Sequence, residues 1–268
     1  MDVWAAGDAY EPYVGRWSRS IARVFLRWLA LPPDLAWLDI GCGTGALSQT
    51  VLEECAPHSV LAIDSSAGYL HYAQSRLRDP RVAFLAGDAQ ALPLPDHSFD
   101  AAVSGLALNF MPDKARALTE MRRVVRQGGT AGLYVWDYAG EMQMMRYFWD
   151  AAIALDRQAE PLDEGRRFPI CRPEPLSNLF QGAGLTDIDV RAIDVQTVFR
   201  DFDDYWTPFL GGQGPAPGYC MNLSPERREE LRVRLRDRLP IRADGSIPLT
   251  ARAFAIRAIV PVDRQASD

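Results

Sequence analysis

Hydrophobic and polar positions alternate between two patterns from residue 36 to about residue 136. Short apolar runs, typical of buried strands, are separated by segments whose apolar residues lie three and four positions apart, as in helices. The runs predict five strands, at residues 36–40, 59–63, 81–85, 100–103 and 130–136. Strands and helices that alternate in this way imply βαβ units and a parallel sheet covered on both faces.

The helices between these strands have recognisable ends. A helix over 66–78 is expected to begin at Ser66, because serine caps helix N-termini. A helix over 114–126 is expected to stop at Gly128-Gly129. Before the first strand, a segment over 19–31 has apolar residues at helical spacing.

Beyond residue 137 the alternation is less regular. Helices are predicted over 140–159, 174–183 and 224–239, and strands over 188–199 and 251–260. Glycine and proline are so frequent over 211–218 that this stretch is expected to be a loop, and it is a candidate for a mobile lid.

These patterns predict the organisation of the chain. Residues 1–35 form an N-terminal helical segment, and residues 36–268 form one sheet domain. Two insertions in that domain, at about 139–172 and 201–248, are expected to build a cap.

Charge and cysteine content exclude several classes of protein. Twenty-nine basic and thirty-five acidic residues give a net charge of −6, which argues against a nucleic-acid partner. The four cysteines lie far apart, with no histidine at ligand spacing, which argues against a metal site and against disulfides. The chain shows neither an apolar run long enough to span a membrane nor a signal peptide, so we expect a cytoplasmic location and no membrane partner.

The strongest motif is a glycine-rich turn in residues 37–48, WLDIGCGTGALS, between a strand and a helix. Gly41 permits a sharp turn, Gly43 lets backbone approach a ligand, and Gly45 lets the helix start close to the strand. A dinucleotide fingerprint needs G-x-G-x-x-G, whereas position 46 is Ala. Asp39 places a carboxylate beside an anion-binding helix N-terminus, a combination that suits an amino-acid zwitterion.

Two further acids follow the next two strands. Asp64 ends the second strand, where a carboxylate can accept hydrogen bonds from both hydroxyls of a ribose. Asp88 ends the third strand, and an acid followed by an accessible backbone N–H can bind an adenine ring. Helix caps or solvated strand ends are the alternative interpretation of these acids, but all of them fall at the strand ends where open α/β sheets bind ligands.

This pattern resembles the class I S-adenosylmethionine-dependent methyltransferases. Within them it is similar to the type 11 group, which includes the ubiquinone/menaquinone biosynthesis C-methyltransferases. The resemblance covers about residues 36–136 and rests on the turn over 39–45, Asp64, Gly-Asp-Ala at 87–89 and the segment 92–100. It implies S-adenosylmethionine as cofactor and a Rossmann-like, doubly wound α/β sheet of seven strands, mostly parallel with an antiparallel final pair, with helical cap elements.

The resemblance also implies a set of cofactor-binding residues. Around the methionine part these are Asp39, Gly41, Cys42, Gly43 and Gly45; at the ribose Asp64 and Ser65; at adenine Gly87, Asp88 and Ala89; and after the fourth strand Ser104, Gly105 and Leu106. Asn109 lies where many relatives carry a histidine, and it is a candidate catalytic residue.

The N-terminal segment and the cap supply the remaining candidates. The segment is expected to close over the cofactor, with Tyr13 facing the sulfonium by cation–π attraction and Arg16 meeting the carboxylate. Asp137, after the fifth strand, is the candidate base, with a turn or helix cap as the alternative. Aromatic and methionine side chains suggest a mostly apolar pocket for a small-molecule substrate, and its predicted contacts are Tyr10, Trp17, Trp136, Tyr138, Met142, Trp149 and Trp206.

Methyl transfer to a small organic acceptor, at N, O or C, is therefore the predicted reaction. A nicotinamide-dependent oxidoreductase and a non-catalytic protein that binds S-adenosylmethionine are the two alternatives. The sequence leaves the acceptor atom and the oligomeric state open.

Overall fold

The computed structural model describes residues 15–211 and 214–262, and the account below concerns these residues. Seven strands are present: β1 (Ala36–Ile40), β2 (Ser59–Asp64), β3 (Val82–Ala86), β4 (Phe99–Gly105), β5 (Val125–Trp136), β6 (Thr186–Phe199) and β7 (Ile247–Ile259). The longer helices are α1 (Arg16–Leu29), α2 (Ala46–Glu54), α3 (Ala67–Arg76), α4 (Lys114–Val124), α5 (Gln143–Leu155), α7 (Pro173–Gly182), α9 (Pro215–Asn222) and α10 (Pro225–Arg238). Two short helices are α6 (Glu164–Arg167) and α8 (Phe202–Trp206), and 3₁₀ turns cover Leu108–Phe110, Arg157–Leu162 and Thr207–Gly211.

The strands form one sheet in the order β3-β2-β1-β4-β5-β7-β6. Strands β1 to β5 pair in parallel, as predicted. Strand β7 runs antiparallel to its neighbours. Beside its end, the Gly128 N–H donates to the Val260 carbonyl and the Val260 N–H donates to the Gly129 carbonyl, both at 2.9 Å. The predicted seven-stranded α/β fold is confirmed. Chain order reverses between β1 and β4, which is the position where open α/β sheets bind ligands at their carboxyl edge.

Helix α1 packs closely against β5 because a glycine makes room for it. A Cβ placed on Gly132 would lie 3.2 Å from Leu29 and 3.3 Å from Phe25. The Phe25 ring also contacts Tyr134, with 4.8 Å between ring centroids. Burying a side chain of this size contributes about 1.5–3 kcal/mol, so the apolar face of α1 is a substantial anchor.

The predicted cap of α3 is confirmed, since the Ser66 hydroxyl accepts a hydrogen bond from the Tyr69 N–H at 3.4 Å. The predicted stop of α4 at Gly128-Gly129 is wrong. The helix ends at Val124 and the chain continues directly into β5, with both glycines inside the strand. Pairing shifts there, and Gly129 has no room for a Cβ, which would lie 2.7 Å from the Asp100 carbonyl oxygen. The glycines therefore serve a strand irregularity rather than a helix stop.

The predicted loop over 211–218 is only partly correct. Helix α9 begins at Pro215, and Pro217 lies in its first turn. Proline is compatible with the first turn of a helix, because the N–H groups there have no helical partner. Gly212 and Gln213 lie outside the described residues, and the lid function of this stretch stays a prediction.

The described residues form two compact units. Of the described residues, the aromatic unit contains 15–17, 136–171, 194–211 and 214–253, and the parallel unit contains 18–135, 172–193 and 254–262. The boundaries fall inside β5, β6 and β7. Both predicted cap insertions belong to the aromatic unit, apart from residue 172.

Aromatic rings form the interior of the aromatic unit. Phe148 stacks on Phe209 with 4.4 Å between centroids, and the buried Tyr205 hydroxyl donates to the Met144 carbonyl at 2.9 Å. Among the residues described in either unit, helices long and apolar enough to cross a membrane are absent.

Candidate functional site

The glycine-rich turn follows β1 at the carboxyl edge of the parallel strands. Gly41, Gly43 and Gly45 all have positive φ angles, of 73°, 53° and 83°, a region that glycine adopts without steric cost. The backbone N–H groups of Gly41 and Cys42 both donate to the Ile63 carbonyl, at 2.8 and 3.0 Å. The turn is thereby fixed to the end of β2.

The three glycines differ in what surrounds them. A Cβ on Gly41 would lie 2.7 Å from the Ala107 Cβ, and one on Gly45 would lie 2.8 Å from Leu77. A Cβ on Gly43 would meet no heavy atom of the described chain within 4 Å. Gly41 and Gly45 therefore permit packing within the protein, with Gly45 fitting α2 against the end of α3. Gly43 borders open space, as a backbone that approaches a ligand requires.

Asp39 is a buried carboxylate with one free oxygen. Its side chain is 1% exposed, and one oxygen accepts a hydrogen bond of 2.6 Å from the Ser48 hydroxyl. The other oxygen, Oδ1, has no hydrogen-bond partner in the described part of the chain. Burial, with a smaller contribution from the charge of Asp64, raises the pKa of Asp39 to about 7, although the Ser48 bond favours the ionised form. A ligand cation would complete this site.

Asp64 holds the turn from the end of β2. Its two carboxylate oxygens accept hydrogen bonds from the N–H groups of Gly43 and Ser66, each at 2.8 Å. Burial raises the pKa of Asp64 in spite of these bonds. Each carboxylate oxygen can accept more than one bond, so Asp64 keeps acceptor capacity for hydroxyl groups. The neighbouring Ser65 is exposed.

Asp88 stabilises its own turn after β3. Its carboxylate accepts hydrogen bonds from the Gln90 backbone at 2.9 Å and the Gln90 side chain at 3.0 Å. These bonds lower the pKa of the exposed carboxyl group. Gly87 donates to the Asp64 carbonyl at 3.1 Å, which joins the two strand ends. The three acids thus lie at or just after the carboxyl ends of three adjacent strands, and contact of Asp88 and Ala89 with adenine stays a prediction.

The end of β4 packs closely against its neighbours and is followed by a residue with an unfavourable backbone conformation. The Ser104 hydroxyl donates to the Ile40 carbonyl at 2.7 Å, and Gly105 leaves room for the Tyr134 hydroxyl, which a Cβ would approach to 2.5 Å. Leu106 has a φ of +60°, which is rare for a branched side chain. Asn109 follows in the 3₁₀ turn and is 3% exposed.

Arg16 has a protein partner in the structure. Its guanidinium forms two hydrogen bonds with the Asp204 carboxylate, at 3.1 and 3.2 Å, and lies over the rings of Trp17 and Phe199. These contacts all lie within the aromatic unit. The predicted contact of Arg16 with a cofactor carboxylate stays a prediction in competition with this ion pair. Tyr10 and Tyr13 lie outside the described residues.

Asp137 organises the turn before α5. Its side chain is buried and accepts a hydrogen bond from the Glu141 N–H at 2.9 Å, while its carbonyl accepts from Gly140 and Met142. A Cβ on Gly140 would lie 2.5 Å from the carboxylate. The structure thus supports the turn interpretation, and the role of Asp137 as a base stays a prediction.

The predicted substrate contacts are mostly interior side chains. Trp136, Met142 and Trp149 are at most 1% exposed, so they pack in the interior of the aromatic unit, and their contact with a substrate stays a prediction. Tyr138 packs on Phe168. Trp206 stacks on Phe202, and Trp17 packs edge-on to Phe199. Helical spacing alone cannot separate pocket from core, because both require apolar residues on an inward face.

Sequence reasoning missed a buried carboxyl group in α6. Glu164 is 2% exposed and accepts a hydrogen bond from the Trp149 ring N–H. Burial raises the pKa of Glu164 to about 8. Beside it, Arg146 forms two bonds of 2.9 Å with Asp163. The Asp-Glu-Gly sequence at 163–165 resembles an ordinary exposed turn, so only the fold reveals that Glu164 is enclosed.

The fold and the turn together define a class I S-adenosylmethionine-dependent methyltransferase, and comparisons with known proteins agree. A family profile described as "Methyltransferase domain" matches residues 38–133. The chain is 32% identical over 181 residues to the demethylmenaquinone methyltransferase of Roseiflexus sp. strain RS-1, a match that covers 62% of this chain and 74% of that protein. The chain belongs to this family, in the type 11 group.

Two further similarities are more limited. The 2-methyl-6-phytyl-1,4-hydroquinone methyltransferase of Synechocystis sp. strain PCC 6803 is 30% identical over 188 residues, which cover 69% of this chain and 57% of that protein. The fold matches phosphoethanolamine N-methyltransferase 2 of Haemonchus contortus, solved with S-adenosylhomocysteine, with a TM-score of 0.60 at 18% identity, over 95% of this chain and 57% of that one.

The residues at the turn fit S-adenosylmethionine, the cofactor of this family. The free Asp39 oxygen suits the ammonium of the methionine part, and the Asp64 carboxylate suits the two ribose hydroxyls. The open side of Gly43 leaves room for a ligand against the backbone. These features disfavour the nicotinamide alternative, which also lacks its glycine spacing.

Proposed function

We propose that this chain transfers the methyl group of S-adenosylmethionine to a ring carbon of a small hydroxylated aromatic molecule of the quinol type. The observation that carries the methyl-transfer part is the free, buried oxygen of Asp39 beside the open edge of Gly43. The acceptor class rests on relatives whose names specify demethylmenaquinone and a phytylhydroquinone.

The chain's own residues would act mainly by binding and orientation. Asp39 holds an ammonium, Asp64 holds a cis-diol and fixes the turn, and the backbone at Gly43 borders the bound molecule. When bound, the cofactor supplies a methyl group already activated by the positive sulfur. Holding two reactants in contact can lower a barrier by roughly 7–11 kcal/mol, so orientation supplies a large share of the rate.

A proton must leave the ring when a carbon is methylated. Asp137 is the proposed base, in addition to its structural bond with the Glu141 N–H, because a carboxylate oxygen has a second lone pair available. Tyr13 and Asn109 remain the other proposed catalytic contacts.

The test is methyl transfer from S-adenosylmethionine with a deuterated methyl group to a panel of reduced quinols, with the products measured by mass spectrometry. The wild-type protein is expected to give a singly methylated ring. Asp64→Ala is expected to reduce turnover about 100-fold at low cofactor concentration, because it removes hydrogen bonds to a charged group worth roughly 1.5–3 kcal/mol. Asp137→Asn keeps an acceptor for Glu141 and is expected to lower kcat without changing cofactor affinity.

The matched control is Asp96→Ala, since Asp96 is an acid of the parallel unit with a side chain 63% exposed. It is expected to leave turnover within about twofold. Tight binding of S-adenosylhomocysteine without methylation of any acceptor would support the alternative of a non-catalytic binding protein. Full activity of Asp64→Ala would show that the cofactor site is assigned to the wrong residues.

A further inference from the structure

The side chain of Asn109 is buried and has unused hydrogen-bonding groups. It lies in the 3₁₀ turn Leu108–Phe110 after β4 and is 3% exposed. Neither its Nδ2 nor its Oδ1 has a hydrogen-bond partner among the described residues. Leaving a buried amide unpaired costs free energy, so proteins rarely do so without a reason.

The backbone before Asn109 is also held in an unfavourable conformation. Leu106 adopts a φ of +60°, and its N–H donates to the Tyr134 carbonyl at 2.8 Å. A leucine in this region is strained, and strain of this kind is concentrated at functional positions. The strained residue and the unpaired amide lie three positions apart on the same connection.

This connection lies against the glycine-rich turn. The position of a Cβ on Gly41 is 2.7 Å from the Ala107 Cβ and 3.6 Å from the Met111 Cε, and these two residues flank Asn109 in the chain. The Ser104 hydroxyl joins the end of β4 to the end of β1 through the Ile40 carbonyl. Asn109 therefore lies at the same end of the sheet as Asp39, within the parallel unit.

The chemistry of a carboxamide indicates its ligand. It is neutral and offers a donor and an acceptor together, which matches a hydroxyl group, itself both a donor and an acceptor. The charged ammonium and the ribose diol have proposed carboxylate partners in Asp39 and Asp64, so these two groups of the cofactor do not need this amide. The adjacent Phe110, 40% exposed, provides an aromatic surface at the same place.

We infer that Asn109 binds a ring hydroxyl of the methyl acceptor and thereby selects hydroxylated aromatic substrates. This inference rests on the proposed function, and it assigns the recognition of the acceptor oxygen to one residue. The amide oxygen accepts the hydroxyl hydrogen and the amide N–H donates to a hydroxyl oxygen, so the proton stays on the substrate.

The test compares two probes of the same shape on protein loaded with S-adenosylhomocysteine, under reducing conditions. One is 1,4-dihydroxynaphthalene and the other is 1,4-dimethylnaphthalene, which has no hydroxyl groups. In Asn109→Leu, we expect the Kd of the dihydroxy probe to rise at least about tenfold, the size of one good hydrogen bond in a buried site. The Kd values of the dimethyl probe and of S-adenosylhomocysteine are expected to stay within about twofold.

A stability measurement separates this role from a structural one. Leucine is close to asparagine in size and has no polar atoms, so Asn109→Leu is expected to raise the Tm of the free protein by about 2–4 °C. A structural hydrogen bond would give a decrease instead. Asn178→Leu, at an exposed position of α7, is the control and is expected to leave both Kd values unchanged.

Three results would overturn the inference. Unchanged binding of the dihydroxy probe by Asn109→Leu would exclude the contact. A lower Tm together with weaker binding of S-adenosylhomocysteine would make Asn109 a residue of the scaffold or of the cofactor site. If the wild-type protein binds neither probe and methylates no quinol, the proposed acceptor class is wrong and the inference fails with it, and this failure is visible before any substitution is made.

Discussion

Buried acids are treated differently in the two units of this protein. In the aromatic unit, Asp163 accepts two bonds from Arg146, and Glu164 accepts one from the Trp149 ring. In the parallel unit, Asp39 accepts one bond from Ser48 and keeps an oxygen without a partner among the described residues. Both units therefore enclose carboxyl groups, but among the described residues the buried carboxylate oxygen without a hydrogen-bond partner is that of Asp39, in the parallel unit.

The hydrogen bonding of a buried acid distinguishes a structural role from a ligand-binding role more clearly than its burial does. A buried acid whose carboxylate oxygens are hydrogen-bonded by neighbouring residues stabilises one arrangement of the chain. A buried acid with an oxygen that lacks a partner can instead bind a ligand through that oxygen. The same contrast holds for glycines, because Gly41 and Gly45 are confined by neighbours while Gly43 borders open space. These two features of the parallel unit support the proposed ligand site at the glycine-rich turn.

The largest effect is expected from closing that open space. Gly43→Val places a branched side chain where the ligand is proposed to lie, and we expect the Kd of S-adenosylhomocysteine, measured by calorimetry, to rise at least about 100-fold, or 2.7 kcal/mol. The left-handed φ of 53° adds a stability cost of about 1–2 kcal/mol.

Gly182→Val is the matched control, because a Cβ there also meets no heavy atom within 4 Å in the described chain. It lies at the end of α7 and is expected to leave the affinity within about twofold. Affinity of Gly43→Val within tenfold of wild type would mean that the space beside Gly43 is not the ligand site.

The positions of the parallel strands and of the glycine-rich turn were predictable from local sequence, because apolar runs and glycine spacing report directly on strands and tight turns. The bounds of β5 were not, since Gly128 and Gly129 signal a break in helix and strand alike, and the pairing with β4 decides between them. The helix from Pro215 was missed for a similar reason, as proline is excluded only from helix interiors.

The site shows the same limit. The positions of Asp39, Asp64 and Asp88 at adjacent strand ends followed from the sequence, because parallel strands end at one edge. The sequence does not show that one carboxylate oxygen of Asp39 lacks a partner, because this depends on the hydrogen bond from the Ser48 hydroxyl and on the burial of the side chain. The enclosure of Glu164 by Trp149 likewise depends on contacts between α5 and α6 that no local pattern encodes.

A second measurement, the pH dependence of the unfolding free energy, tests the buried Glu164 of the aromatic unit. The folded pKa of Glu164 is raised from 4.5 to about 8, so the folded protein binds more protons than the unfolded chain between these values. Its favourable contribution is complete below pH 4.5 and is lost as the pH rises to 8, at no more than about 1.4 kcal/mol per pH unit. Asp39 acts in the same direction up to about pH 7.

Glu164→Gln keeps an acceptor for the Trp149 N–H and cannot ionise, so it is expected to flatten the decline in unfolding free energy between pH 5 and pH 8. Urea titrations at several pH values measure this. Glu174→Gln, at an exposed position of α7, is the control and is expected to retain the wild-type slope. An unchanged slope in Glu164→Gln would show that Glu164 is not held protonated by the fold.

The smallest predicted effect is a pH dependence of ligand affinity that arises from the Asp39 carboxyl group. Its pKa of about 7 means that the carboxyl group is mostly protonated at pH 6 and mostly ionised at pH 8. A ligand ammonium favours the ionised form, so the affinity for S-adenosylhomocysteine is expected to rise about tenfold over this range in the wild type. Asp39→Asn is expected to bind more weakly and to lose the dependence on pH.

Ser48→Ala sharpens this experiment because it changes the titration without removing the acid. The Ser48 hydroxyl donates to the Asp39 carboxylate and stabilises its charge, so its loss is expected to shift the midpoint of the affinity change to higher pH. A midpoint that stays in place in Ser48→Ala, or a pH dependence that persists in Asp39→Asn, would assign the titration to another group. The free oxygen would then not be the one that receives the ligand cation, and the contrast between the two units would lose its functional meaning.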